Sequence, residues 1–343
     1  MRKKVISIAA LAFVASLSVG FAAANVTADA ASKDGFAITA TSVRLDDAQK
    51  EGVDSGLRFK IDVPTGATVT DAYTKITLTT AGGQAYSTNV EATVWRPDES
   101  GWNTVLLDIP STDYATQVTA QAFATIDGVE YETAAVSSSI AKTAAKAIAN
   151  GAATADQVGM YVNSVVTDVA LSQNQLTAFV GDESVQLTAT TTPADYAVVW
   201  ASSNNAVATV DATGKVTIVG KGKANITATV GNKKETCAVT VYEKYEIDSV
   251  AEFMAMPTGD EYAYCVLTDD IDFSGTLIQY DATSSGTTYA PIGTGASKFS
   301  GILDGAGHEI YNVNIIGNGG AAMFGCVFAY VDGTIKNLAA DVT

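Results

Sequence analysis

Asp269, Asp270 and Asp272 place three carboxylates in four positions. Two of them could divide the work of a glycosidase into acid and nucleophile, or the group could ligate calcium. The plainer reading follows from strand geometry, in which side chains alternate between faces. Ile271 and Phe273 then point inward, Asp270 and Asp272 lie on the exposed face, and this is the expected arrangement. His308 is the only histidine, so a Ser-His-Asp triad would have to use it. No Gly-x-Ser-x-Gly elbow accompanies it, and its Gly-rich surroundings two residues before Ile310 make it a turn or strand residue. Gly293-Thr294-Gly295 lacks the Lys-Ser/Thr of a phosphate loop and has no helix pattern after it.

Cys237, Cys265 and Cys326 are odd in number and form no Cys-x-x-Cys pair, which removes zinc and thiol-redox motifs. A Cys265–Cys326 disulfide is one alternative in an exported chain, and buried free thiols are the favoured one. Asp168, Asp182, Asp195, Asp211 and Glu235 fall at turns or strand ends without Asp-x-Asp-x-Asp spacing, so they too are read as structural. Arg58 invites an anion-binding reading, yet alternation with Leu57 and Phe59 places it on the solvent face. Trp200 follows Val198 and Val199, as an aromatic filling the space between two sheets does, rather than as an exposed sugar platform. No catalytic, cofactor-binding or metal-binding residue is expected, and the chain is read as a non-enzyme without cofactor.

The elements around these residues are mostly strands. Across 36–136, short alternating runs such as Leu57-Arg58-Phe59-Lys60-Ile61 and Lys75-Ile76-Thr77-Leu78 read as half-buried strands. Turn chemistry separates them at Pro64-Thr65-Gly66, Ala81-Gly82-Gly83 and Asp127-Gly128, the last a strong hairpin signal. The period then changes over 138–150, where Ile140, Ala144 and Ala147 share a face and Gly151 stands as a C-terminal stop, predicting a helix. Residues 152–164 read as a linker. From Val165 the alternation resumes, as at Ala224/Ile226/Ala228 and Cys237/Val239/Val241, giving about seven short strands at sandwich spacing.

The N-terminus carries Arg2, Lys3 and Lys4, an uncharged run from Val5 to Ala28, and small-x-small sites at Ala22-Ala23-Ala24 and Ala28-Asp29-Ala30. This is the pattern of a secretory signal peptide over residues 1–30. The 343-residue chain has 20 basic and 37 acidic residues, and removing the leader leaves 17 basic against 36 acidic, a net charge of −19. Such a chain is repelled by phosphate backbones and anionic membranes, which argues against nucleic-acid partners. No later run suffices for a membrane helix, so no integral membrane association is expected after cleavage.

Three resemblances follow. Val180-Gly181-Asp182, Gln186-Leu187-Thr188-Ala189, Val199-Trp200-Ala201-Ser202-Ser203-Asn204, Val207-Ala208-Thr209-Val210-Asp211 and Gly220-Lys221-Gly222 together resemble the group 2 bacterial immunoglobulin-like domain over 165–243. That family implies spacers or adhesive modules of surface proteins and supplies no catalytic residue. Ser55-Gly56-Leu57-Arg58-Phe59-Lys60, with the Asp127-Gly128 hairpin and the following helix, resembles a β-rich module of exported Gram-positive proteins over 31–151, with no activity attached. After a short helix at 249–256 ended by Pro257, residues 264–338 resemble GLUG-type repeats and the first coils of right-handed parallel β-helices. Ile310-Tyr311-Asn312-Val313 and Ile335-Lys336-Asn337-Leu338 echo each other 25 positions apart, the size of one solenoid coil. Stacked coil on coil, their asparagines would bond to one another.

The expected architecture is therefore mostly β: an N-terminal β-rich domain closing in one helix, an immunoglobulin-like β-sandwich, and the start of a parallel β-solenoid over 244–343. About two coils are visible before Thr343, so either the sequence is truncated or another chain completes the fold. The expected function is non-enzymatic: a secreted or cell-surface protein, of Gram-positive type, acting in adhesion or as a spacer, with cell-wall or host-surface glycans or proteins as partners. The rival is the N-terminal part of a secreted carbohydrate-active β-helix enzyme, a polysaccharide lyase or glycosidase.

Overall fold

In the strand Gly56–Asp62, Leu57, Phe59 and Ile61 are fully buried while Arg58 and Lys60 between them are not, so alternation alone assigns this strand's inner face. The computed structural model describes residues 6–7, 32–44, 56–92, 95–96, 98, 100–107, 109–279, 287–316 and 327–342. Strands predominate, with three α-helices among the described residues: α1 (Ile140–Ala149), α2 (Ala155–Asn163) and α3 (Val250–Met254). Apart from Ile6–Ser7, which pairs in parallel with the Gly101–Leu107 strand, the expected leader lies outside the described residues. No helix among the described residues is long and apolar enough to cross a membrane.

Two compact units are present. The first is drawn from Met1–Ser172, Thr188–Val199 and Ala228–Glu235, the second from Gln173–Leu187, Trp200–Thr227 and Thr236–Thr343. Neither ends at residue 151 or 164, and the immunoglobulin-like segment contributes residues to both.

In the first unit, the strands Ala37–Arg44, Gly56–Asp62 and Gly101–Leu107 form one antiparallel sheet, and Ala85–Glu91, Val69–Thr79, Val118–Ile126 and Val129–Glu132 form a second. The hairpin at Asp127-Gly128 closes as expected, with both residues at positive φ, 51° and 83°. One core takes Leu57, Phe59, Ile61 and Trp102 from the first sheet, Ile76, Val118 and Ile126 from the second, and Ile140 and Ala144 from α1. A polar seam crosses it. Trp102 Nε1 donates to Thr74 Oγ1 at 3.0 Å and Thr104 Oγ1 bonds the same oxygen at 2.8 Å, so a strand of each sheet is tied to the other inside the core.

The 152–164 linker is a correction: it contains helix α2. Thr154 caps the helix and Gln157 returns a bond to the Thr154 backbone, a complete capping box. Val158, Tyr161 and Val162 then share one face at helical spacing and are buried in the first unit's core. Small residues around Gly151 disguised this short amphipathic helix. α1 matches its expectation, with Ser139 as N-cap and Gly151 at positive φ beyond its end.

The second unit is dominated by parallel pairing. Gln175–Phe179 pairs with the middle of Lys233–Ile247, whose C-terminal part pairs with Ala263–Leu267, then Ile302–Asp304, then Thr334–Lys336, every step parallel. Ile271–Asp272, Glu309–Ile316 and Ala339–Val342 form another parallel sheet, and Thr276–Gln279 pairs in parallel with both Glu309–Ile316 and Thr287–Tyr289. A core of Ile247, Cys265, Leu267, Ile271, Phe273, Phe299, Leu303 and Ile310 fills the unit, and Phe253 of α3 stacks edge-on against Phe273 at 5.7 Å. Close stacking of successive strand starts excludes side chains: a Cβ on Gly333 would lie 2.2 Å from the Gly301 carbonyl oxygen.

The 25-residue echo takes a different form from the one expected. Residues pair 32 positions apart at Ile302↔Thr334 and 30 apart at Glu309↔Ala339, so Asn312 and Asn337 do not stack on each other. Each instead takes a left-handed conformation, φ 54° and 53°, and donates Nδ2 to an aspartate at the end of a preceding strand. Asn312 bonds Asp272 at 2.8 Å and Asn337 bonds Asp304 at 3.0 Å. The repeat is one corner device used twice, in two different sheets.

Candidate functional site

Asp270 and Asp272 are exposed beside the buried Ile271 and Phe273, as alternation requires. Asp270 Oδ1 accepts the Glu309 backbone N–H at 3.0 Å and lies 3.1 Å from His308 Nδ1. That backbone bond, then the histidine, holds the Asp270 carboxyl below its ordinary range. Asp272 Oδ1 accepts from Ser274 N at 2.8 Å, Ser274 Oγ at 2.6 Å and Asn312, with the same effect on its acidity. Asp269 accepts from the Asp270 backbone N–H. A glycosidase acid needs its pKa raised toward neutrality, and these two carboxyls are shifted the other way. His308 sits in the turn expected of it, and among the described residues no hydroxyl bonds it, so the His308–Asp270 pair lacks the nucleophile of a triad.

A second polar cluster was not legible beforehand. Asp304, nearly buried, accepts from Tyr264 Oη at 2.6 Å, Asn337 Nδ2 at 3.0 Å and Lys336 Nζ at 3.0 Å. The Tyr264 bond above all, then Asn337 and Lys336, holds the Asp304 carboxyl far below the usual carboxylate range, and it raises the Tyr264 phenol in return. The residues come from three strands, and only the parallel register aligns them. Lys336 Nζ also stands 5.4 Å from the centre of the Tyr264 ring, which packs edge-on against Phe179 at 5.0 Å. This cluster locks strand ends together; it does not present a reactive group.

Arg58 departs from expectation. It is half-buried and lines a cavity of about 310 Å³ in the first unit, together with Thr41, Ser42, Thr143, Lys146 and Asn150. Its Nε donates to Ser42 Oγ at 2.8 Å. The solvent-face reading failed because α1, not water, covers part of that sheet surface. Lys146 and Asn150 are at the C-terminal end of α1, and their positions on the helix gave no sign of the strand they would face.

The remaining candidates are structural. Asp211 Oδ1 accepts from Thr213 N, Thr213 Oγ1 and Lys215 N, and Asp182 accepts from Phe179 N, each closing a turn. Asp195 is at positive φ in a turn, 3.8 Å from Lys142. Asp168 begins one strand and Glu235 lies near the start of another. Among the described residues no group of three His, Cys, Asp or Glu side chains could hold a metal ion. Trp200 is half-buried rather than fully enclosed, its ring packed where a side chain on Gly214 would fall within 2.7 Å. Gly293-Thr294-Gly295 is a turn closed between Thr294 and Ser297. Cys237 and Cys265 are buried free thiols, and burial pushes Cys265 up to about 12; Cys326, the other half of the disulfide alternative, lies outside the described residues.

Residues 165–241 match the Bacterial Ig-like domain (group 2). The resemblance carried by the Val199-Trp200 strand and the Gly220-Lys221-Gly222 turn thus extends over the whole Ig-like segment. A stretch of 67 residues is 54% identical to Lacto-N-biosidase of Bifidobacterium bifidum, covering 19% of this chain and 6% of that protein. The chain therefore spans a small fraction of that relative's length. Among solved structures, Drosophila OTK extracellular domains 3–5 align at 12% identity over 63% of this chain and 67% of that one, with a TM-score of 0.19. The S-layer protein rSbsC(31-844) aligns at 16% identity over 60% and 28%, with a TM-score of 0.20.

Proposed function

We propose that this chain is an exported, non-enzymatic surface protein in which the Ig-like domain spaces, and a C-terminal parallel β-solenoid is displayed for attachment to cell-wall or host-surface glycans or proteins. The observation that carries this reading is the match of residues 165–241 to the bacterial Ig-like family. Two features of the second unit support the solenoid: parallel pairing passes from strand to strand through four partners, and the Asp–Asn corner recurs in two sheets. The reading is also supported by the engagement of Asp270, Asp272 and Asp304 in turns and corners, where hydrogen bonds move their acidities away from that of a general acid.

The second reading is that the chain is the N-terminal part of a secreted carbohydrate-active enzyme, and the observation favouring it is the local identity to Lacto-N-biosidase. Both readings require export, which a first measurement tests, and a second measurement separates them. Protease treatment of intact source cells should release fragments of the protein, and a chain recovered only from the cell interior would refute export. The purified chain should bind a subset of glycans or surface proteins on an array without releasing product from a chromogenic lacto-N-bioside. Turnover of that substrate would replace the first reading with the second.

A further inference from the structure

We infer that the cavity lined by Arg58 and Lys146 is a binding site for a small sugar bearing an oxyanion, either a carboxylate or a phosphate. This goes beyond the surface-protein reading and does not depend on it. Two cationic side chains from different elements, a strand and a helix, face one space of about 310 Å³, and among the described residues no acidic side chain lines it. That is unusual in a chain of net charge −17. An anion entering this space would meet two cations and, among the described residues, no carboxylate.

Lys146 alone has a simpler explanation, since a cation in the last turn of α1 offsets the helix's carbonyl end. Arg58 does not, because it belongs to the facing strand. Its Nε is held by Ser42 Oγ at 2.8 Å, which fixes the plane of a guanidinium whose fork suits carboxylate or phosphate oxygens. Lys146 is exposed at the cavity and, among the described residues, forms no ion pair, so it is placed to meet an incoming charge. Thr41, Ser42 and Asn150 add hydroxyl and amide groups, and the apolar remainder of the lining, Val43, Ala147, Ala152, Ala153 and Val158, suits the C–H face of a sugar ring. The volume is at the lower end of the range of small-molecule sites, roughly 300–1,000 Å³, which selects one ring over a polymer.

The test is an NMR titration of the full chain with glucuronate, glucose 1-phosphate and glucose, repeated on Lys146→Gln and Arg58→Gln. Glucuronate or glucose 1-phosphate should shift the backbone amides at 41–43 and 146–153 saturably, the better ligand identifying the source of the anion, and glucose should not. Lys146→Gln should weaken that affinity about tenfold or more, the fold-change that loss of one charge-assisted hydrogen bond produces. An equal response to glucose, an affinity unchanged in Lys146→Gln, or no saturable shift with either anion would each overturn the assignment. Should Arg58→Gln fail to fold, Lys146→Gln, on an exposed helix turn, still decides.

Discussion

Thr74 and Asp304 show how single polar groups hold this molecule. Thr74 is fully buried and its hydroxyl is the shared partner of Trp102 and Thr104. Thr74→Val keeps the shape and strands a buried indole N–H, so it should cost about 1–3 kcal/mol, read from chemical denaturation. Asp304 is tied to acidity. Its carboxyl titrates below the unfolded value of about 3.9, so its contribution is complete above that pH and is lost as pH falls through the folded value. Unfolding midpoints should therefore fall more steeply on acidification below about pH 4 in the natural protein than in Asp304→Asn. Parallel curves would remove Asp304 from the acid response.

At the scale of elements, α2 and the Asp–Asn corners are the informative cases. Thr154→Ala removes half of the α2 capping box and should cost about 0.5–2 kcal/mol, with the loss visible as faster amide exchange across Ala155–Asn163. The capping residues were present in the sequence, three apart, but the helix they start is only nine residues long, too short for its apolar face to stand out from the small residues before it. The corners separate two roles of asparagine. Asn337→Gly keeps the left-handed backbone and loses the bond to Asp304, whereas Asn337→Ala loses both, so the alanine variant should be the less stable by about 1 kcal/mol. Equal stabilities would mean that the side-chain bond, not the backbone, sets the cost.

For the molecule as a whole, the buried thiol of Cys265 reports on the core of the second unit. Cys265 is fully buried in the second unit with its thiol pushed up to about 12, so modification requires opening of the surrounding strands. Phe253, also fully buried, packs on Phe273 and Phe328 in that core. Phe253→Ala should cost about 3–5 kcal/mol and accelerate alkylation of Cys265, followed by peptide mass spectrometry. Unchanged labelling would show that α3 contributes nothing to closing the core.

Periodicity and turn chemistry by themselves determined the strands around Leu57 and Phe59, the Asp127-Gly128 hairpin and α1. Each depends on neighbours within a few residues along the chain. The exposed placement of Asp270 and Asp272 was legible for the same reason. Only the tertiary structure decided which strand Asn312 and Asn337 would meet, that Tyr264, Asp304 and Lys336 would converge, and that Arg58 would share a cavity with Lys146. Those partners lie some 30 to 90 positions apart, 32 for Asp304 and Lys336 and 88 for Arg58 and Lys146. Register and helix placement across such distances are set by packing of the whole core, so no local pattern in the chain encodes them.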